Sequence, residues 1–381
     1  MARVTVCLLT GWFCCLIQAA ESFPLPASSA AAIVKTPSLA ELGKRVADLL
    51  KRGESALSRL DAQAADEAFE QASFMAHSAD IEMGLVRSYM QAGDYRKALA
   101  FAAHTAGAHR EEPEGTALYA WLLHIGGQRE IAKRLLVEAI NRTPQSAQLR
   151  QVSTQLTARE PLAATNLLRP PGRLAPYGET ISAQNVRVVS SGLLLSDGLH
   201  VLAPVAFLVS GQKVWVRNGL GAVRSTRVVK KDTALGLVLL AMDKALPVPS
   251  HYSIASGPVF PGSVGLTVDY FASPKPQTAW PMLHAGFLEA VNGKTVDLAL
   301  RTEMPSGTQG GPVFDIAGRL IGVTSPKVST KVNLLIAYRQ IAAFSGALWE
   351  PASGASRLPP ASLDEIYEGS LKTALQVLVS D

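Results

Sequence analysis

The feature that most constrains this chain is a change of period partway along it. From Leu39 to about Leu156 the residues are mainly Ala, Leu, Glu, Lys and Arg with little proline. Small and aromatic residues recur 34 positions apart there: Ala98 with Ala132, Gly93 with Gly127, Tyr89 with Leu123. A fixed period of that length marks stacked helical hairpins, none of which can bury its apolar face alone. Pro161, Pro170, Pro171, Gly172 and Pro176 then interrupt the pattern, as a linker does. Beyond them, short runs of Val, Leu and Ile alternate with Gly, Asn, Asp and Ser, among them Asn185–Val189, Ser191–Leu195, Lys213–Arg217, Leu237–Met242 and Leu320–Thr324. Many short strands at that spacing predict an antiparallel barrel or sandwich.

The helical part carries a finer pattern. In a unit framed from Pro113 to Ser146, Ala120, Leu123, Ala132, Leu136, Ala139 and Pro144 alternate small and large residues. A unit from Val46 offers Gly53, Ala56, Ala65, Phe69 and Ala72, and one from Ala79 offers Tyr89, Ala98 and Ala102. Ala or Gly is needed where two helix backbones cross closely, and larger residues fill the space between neighbouring pairs. The pattern resembles tetratricopeptide repeats. That resemblance implies a short solenoid of three units with a capping helix near Ser146–Thr157 and a concave surface for protein partners. A plain helical bundle would use the same residues.

The most informative segment of the β part is Pro305-Ser306-Gly307-Thr308-Gln309-Gly310-Gly311-Pro312-Val313-Phe314, followed by Gly318 to Val323. Upstream, in order, lie Ser190-Ser191-Gly192-Leu193-Leu194-Leu195-Ser196-Asp197-Gly198, His200-Val201-Leu202-Ala203-Pro204-Val205-Ala206-Phe207-Leu208 and Lys231 to Leu240. Together they resemble the successive segments of trypsin-like serine proteases of the bacterial high-temperature-requirement type. The resemblance implies a double β-barrel. It also implies that Gln309 stands at the nucleophile position, Ala206 at the histidine position and Gly236 at the position of the orienting aspartate.

An amide is not a nucleophile, a methyl group cannot accept a proton, and glycine orients nothing. Loss of a full triad costs on the order of 10⁶ in rate, or roughly 8 kcal/mol of transition-state stabilisation. The expectation is a pseudoprotease with no catalytic residue. The loop residues Gly307, Thr308, Gln309, Gly310 and Gly311 are then the candidate peptide-binding set, through backbone N–H groups of the oxyanion type, and the barrel edge beside them is a candidate for strand addition. Glycines retained only to make the turn would leave the same letters. The alternative is a serine-type endopeptidase with relocated residues, for which His200, His284 and Ser306 are the nearest candidates. His77, His104, His109 and His124 show no metal-type spacing, and no metal or cofactor is expected. No phosphate-cradling glycine loop is present either.

Arg3, the apolar run Val4–Ile17 and the small residues Ala19 and Ala20 form an export signal. Cleavage is expected near Glu21 or within Ala27–Ala32. All three cysteines, Cys7, Cys14 and Cys15, fall inside that signal, so the mature chain has no thiol for a disulfide, a nucleophile or a metal. A net charge of +5 spread over a long exported chain does not call for nucleic acid. The basic group Arg224, Arg227, Lys230 and Lys231 remains a candidate surface for an acidic partner. No stretch beyond the signal is apolar enough to span a bilayer.

The expected fold class is multidomain α and β. A signal (1–20) and flexible leader (21–37) precede tetratricopeptide-like helices (38–160), a linker (161–176), an inactive trypsin-like double barrel (177–345) and a tail with a short helix, Ser362–Val377 (346–381). The expected role is periplasmic or secreted binding of protein or peptide partners through the solenoid and the barrel edge. If the barrel is only a spacer, recognition falls to the solenoid alone.

Overall fold

The computed structural model describes residues 38–158, 174, 176–209, 211–248, 253–255, 259–291, 294–302, 308–327, 332–348 and 359–380. The signal and leader, and nearly all of the linker, lie outside them. Residues Ala40–Asp381 form one unit, distinct from Met1–Leu39.

Among the described residues seven helices come first: α1 (Leu39–Ser58), α2 (Ala62–Ser73), α3 (Ala79–Ala92), α4 (Tyr95–Ala108), α5 (Pro113–Ile125), α6 (Arg129–Arg142) and α7 (Ala147–Thr157). The 34-residue period is visible in the backbone itself. Gly93 ends α3 at φ +90° and Gly127 follows α5 at φ +88°. After the first, Asp94 N–H donates to Tyr89 O at 2.8 Å; after the second, Gln128 N–H donates to Leu123 O at 2.8 Å. Each is a left-handed glycine closing a helix and sending the chain back along it. Where Gly53 and Gly84 face the buried ring of Phe69, an added Cβ would lie 2.5 Å and 2.4 Å from ring atoms, so α1 and α3 close on α2 only because both residues lack side chains. A seventh helix lies where a capping helix was expected, and at its start Ser146 Oγ accepts from Leu149 N–H at 3.2 Å.

Two closed six-stranded barrels follow. The first runs β1-β12-β3-β4-β5-β2 and the second β10-β11-β8-β7-β6-β9. Their strands are β1 (Arg187–Leu194), β2 (His200–Pro204), β3 (Lys213–Asn218), β4 (Val223–Asp232), β5 (Leu237–Met242), β6 (Val264–Asp269), β7 (Met282–Val291), β8 (Lys294–Arg301), β9 (Pro312–Phe314), β10 (Leu320–Lys327), β11 (Val332–Ala337) and β12 (Ala374–Ser380). The two strands expected at Asn185–Val189 and Ser191–Leu195 are one strand, β1, whose register shifts between Val188 and Ser190. A short helix, α8 (Tyr338–Ser345), continues directly from β11.

The C-terminal segment differs most from expectation. It is no tail: helix α9 (Leu363–Thr373) passes directly into β12, which lies between β1 and β3 as the sixth strand of the first barrel. All seven residues of β12 are buried, the polar Gln376 and Ser380 along with the five apolar ones, so it does not show the in-out alternation of a half-exposed strand. Helix α9 also ties the halves together. Glu368 accepts from Arg96 N–H at 2.8 Å and pairs with its guanidinium at 3.0 Å. The rings of Tyr95 and Tyr367 meet edge-on at 4.5 Å, and Tyr367 Oη donates to Pro281 O at 2.7 Å. One apolar cluster runs from Phe69 and Trp121 in the helices through Leu193 and Tyr270 to Tyr367 and Leu371. Helices and barrels therefore share a core. Among the described residues no helix is long and apolar enough to cross a membrane.

Candidate functional site

Strand β2 ends at Pro204 and the chain turns through a 3-10 segment, Val205–Phe207, that holds Ala206. Val205 N–H donates to Gly236 O at 3.0 Å, which joins the turn that holds Ala206 to Gly236. Gly236 has φ +80°, and a Cβ there would lie 3.0 Å from Ser325 Oγ on β10, so the backbone itself disfavours any side chain. The loop before β9 supplies the third position. Gly310, at φ +109°, is packed so that a Cβ would lie 2.1 Å from Ser191 O and 2.5 Å from Pro204 Cδ. The three positions picked out by sequence thus gather where the barrels meet, with β10 and the nearby Asn333 of β11 as neighbours. Their side chains offer no base: Ala206 is an exposed methyl group, Gly236 has none, and the Gln309 amide is buried and donates from Nε2 to Asn333 Oδ1 at 2.9 Å.

The loop is held by residues for which the motif reading held no role. Ser191 N–H donates to Gln309 O at 2.9 Å. Its hydroxyl donates to Thr308 O at 2.8 Å and accepts from Tyr270 N–H at 2.7 Å. Gly310 N–H donates to Thr324 Oγ1 at 2.9 Å, and Gly311 N–H to Asp269 Oδ1 at 2.9 Å. Two of the five amides expected to face a peptide, those of Gly310 and Gly311, are therefore spent on the protein. Thr308 and Gln309 lie on the described loop, whereas Gly307 and Ser306 fall outside the described residues.

Asp269 is a strongly perturbed carboxyl beneath the loop. Complete burial pushes its carboxyl up to about 7, against the opposing pull of hydrogen bonds from Thr267 and Gly311; Thr267 Oγ1 donates to Asp269 Oδ2 at 2.6 Å. Desolvation outweighs the donors because, among the described residues, none of the groups acting on the carboxylate is a cation that could offset the loss of water.

The candidates for a relocated centre lie elsewhere. His200 opens β2, its Nδ1 2.6 Å from Asp197 Oδ2 on the preceding turn, while Asp197 Oδ1 accepts from the backbone N–H of Leu199 and His200. His284 is buried in β7 against Arg129 of α6 and the Phe271 ring, where helices and second barrel pack. In the basic group on β4, Arg224 pairs with Glu179 at 3.5 Å and Lys230 donates to Phe344 O at 3.1 Å, while Arg227 and Lys231 are exposed.

Among the helical histidines the structure departs from the sequence reading. His124 is alone, its imidazole held down at about 4 by burial and then by Arg129. His77 and His109 instead converge on Glu82, with His104 beside them.

The family model described as a trypsin-like peptidase domain matches residues 186–323. That span holds the three gathered positions and most of both barrels but not α9 or β12. No curated protein matches the chain. Among solved structures, the chain is similar to a serine endoprotease from Yersinia pestis, at 17% identity and a TM-score of 0.33 over 45% of this chain and 60% of that one. It is also similar to a protease from M. tuberculosis in its active form, at 17% identity and a TM-score of 0.35 over 45% of this chain and 83% of that one.

Proposed function

We propose that this is an exported, non-catalytic protein- or peptide-binding protein, built on an inactive serine protease barrel with tetratricopeptide-type repeats ahead of it. One observation carries the reading: where the barrels meet, Ala206, Gly236 and Gln309 supply neither a proton acceptor nor a nucleophile, and the Gln309 amide is already engaged by Asn333. The loop around them is nevertheless fixed by Ser191, Thr324 and Asp269, which supports retention of a shaped surface without the chemistry. Both barrels close on themselves, so strand addition at an open edge, expected from the sequence, has no ready template. Recognition accordingly rests on the helical hairpins and on the loop between the barrels.

The test is to titrate the protein with a library of unstructured peptides, recover the bound fraction and sequence its ends by mass spectrometry. Saturable binding with peptides recovered intact is the expected result. New peptide ends that accumulate with time would overturn it in favour of a peptidase.

A further inference from the structure

The α3–α4 hairpin carries a cluster whose chemistry is unrelated to the barrels. Glu82, in the first turns of α3, is 4% exposed. Its Oε1 lies 2.8 Å from His77 Nε2, 3.5 Å from His109 Nε2 and 3.7 Å from His104 Nε2. These residues come from three places: the α2–α3 turn, the body of α4 and its C-terminal cap. They meet because α3 and α4 run back along each other. Two buried atoms in the cluster, Glu82 Oε2 and His109 Nε2, have no hydrogen-bond partner among the described residues. Buried polar atoms are seldom left so. On the far side of the His109 ring, Nδ1 lies 3.5 Å from Glu112 Oε1, a carboxylate in the surrounding shell. A nearly buried carboxylate on which two imidazoles converge at one oxygen, while its second oxygen lacks a hydrogen-bond partner among the described residues, is a donor set suited to a cation.

We propose that His77, Glu82 and His109 form a binding site for a zinc-class divalent metal ion, with His104 the nearest fourth donor. Imidazole nitrogen and carboxylate oxygen bind zinc at about 2.0–2.2 Å, which sets neighbouring ligand atoms of a tetrahedron roughly 3.3–3.5 Å apart. The contacts of 2.8, 3.5 and 3.7 Å bracket that edge, and the ligand atoms of His77, Glu82 and His109 all lie within 4.8 Å of one another. The side chains of Glu82 and His109 are 6% and 9% exposed and those of His77 and His104 are 65% and 59%. A buried half fixes the site while an open half admits the ion. Bound metal would pin the α2–α3 turn to the end of α4.

The experiment uses the full chain free of any affinity tag, alkylated at its cysteines so that thiolates cannot compete, stripped with a chelator and titrated with Zn²⁺ alone. Bound metal is read by mass spectrometry of the dialysed protein, and the site by the visible absorption of Co²⁺ in place of zinc. One zinc per chain is expected, with tetrahedral Co²⁺ bands. In the double variant His77→Ala/His104→Ala, altered only at exposed side chains, affinity should fall by more than the roughly 10–100-fold seen when an outer-shell partner of a metal ligand is removed. Glu82→Gln should abolish binding, and if it fails to fold the double variant decides alone. A wild-type chain that retains no zinc, or a double variant that retains it as tightly as wild type, would overturn the proposal.

Discussion

Replacing Asp269 by asparagine separates the burial of a carboxyl under the loop from the hydrogen bonds it makes. The Asp269→Asn variant keeps an oxygen for Gly311 N–H and turns an amide toward Thr267, whose hydroxyl can accept as well as donate. What disappears is titration. In the folded protein the Asp269 carboxyl is raised from 3.8 to about 7, so the folded state holds a proton that the unfolded state releases near pH 4. The stability this contributes is full below pH 4 and is lost as pH rises through 7. Three units at 1.36 kcal/mol each bound the effect at roughly 4 kcal/mol, of which about 2–3 kcal/mol falls between pH 5 and pH 8. Urea denaturation of wild type and variant at each pH unit, compared as a difference so that other groups cancel, reads it directly. The variant should gain on wild type by that amount from pH 5 to pH 8. Parallel profiles would refute the argument that desolvation governs this carboxyl.

Two further substitutions probe the helices against each other. Gly53→Ala drives a methyl group into the enclosed Phe69 ring and should destabilise by about 1–3 kcal/mol. Gly43→Ala, in the same helix with no atom of the described residues within 4 Å, should stabilise by up to about 1 kcal/mol; thermal denaturation of both orders them. Deleting residues 374–381 removes Leu375, Val377, Leu378 and Val379, all fully buried. At about 1.5–3 kcal/mol each their burial is comparable with a typical total stability of roughly 5–15 kcal/mol. The truncated chain should fail to fold, seen as loss of near-ultraviolet circular dichroism; retention of the native spectrum would show that β12 is dispensable.

The helical hairpins were legible because close backbone crossings demand Ala or Gly at fixed intervals, and Gly93 and Gly127 mark the same turn twice. The gathered positions were legible for a similar reason: the turn at Gly310 tolerates no side chain against Ser191 and Pro204, so its glycines stand out. Strand β12 was not. Ala374–Ser380 follows α9 with no Gly or Pro between them, and a short apolar run after a helix does not reveal its period. The His77–Glu82–His109 cluster was hidden because its members are spread over three elements and meet only when α3 and α4 pack. Asp269 was hidden because one aspartate at a strand end resembles a solvated one. The use of the Gly310 and Gly311 amides depends on Thr324 and Asp269, which sequence places far from the loop.

The central claim is that this barrel performs no serine-protease chemistry. It is tested most directly by exposing the folded protein to a fluorophosphonate probe, with an active serine protease alongside, and mapping any adduct by peptide mass spectrometry. The account predicts no labelled serine above the level of the heat-denatured chain. A serine labelled stoichiometrically, and only while the protein is folded, would contradict it.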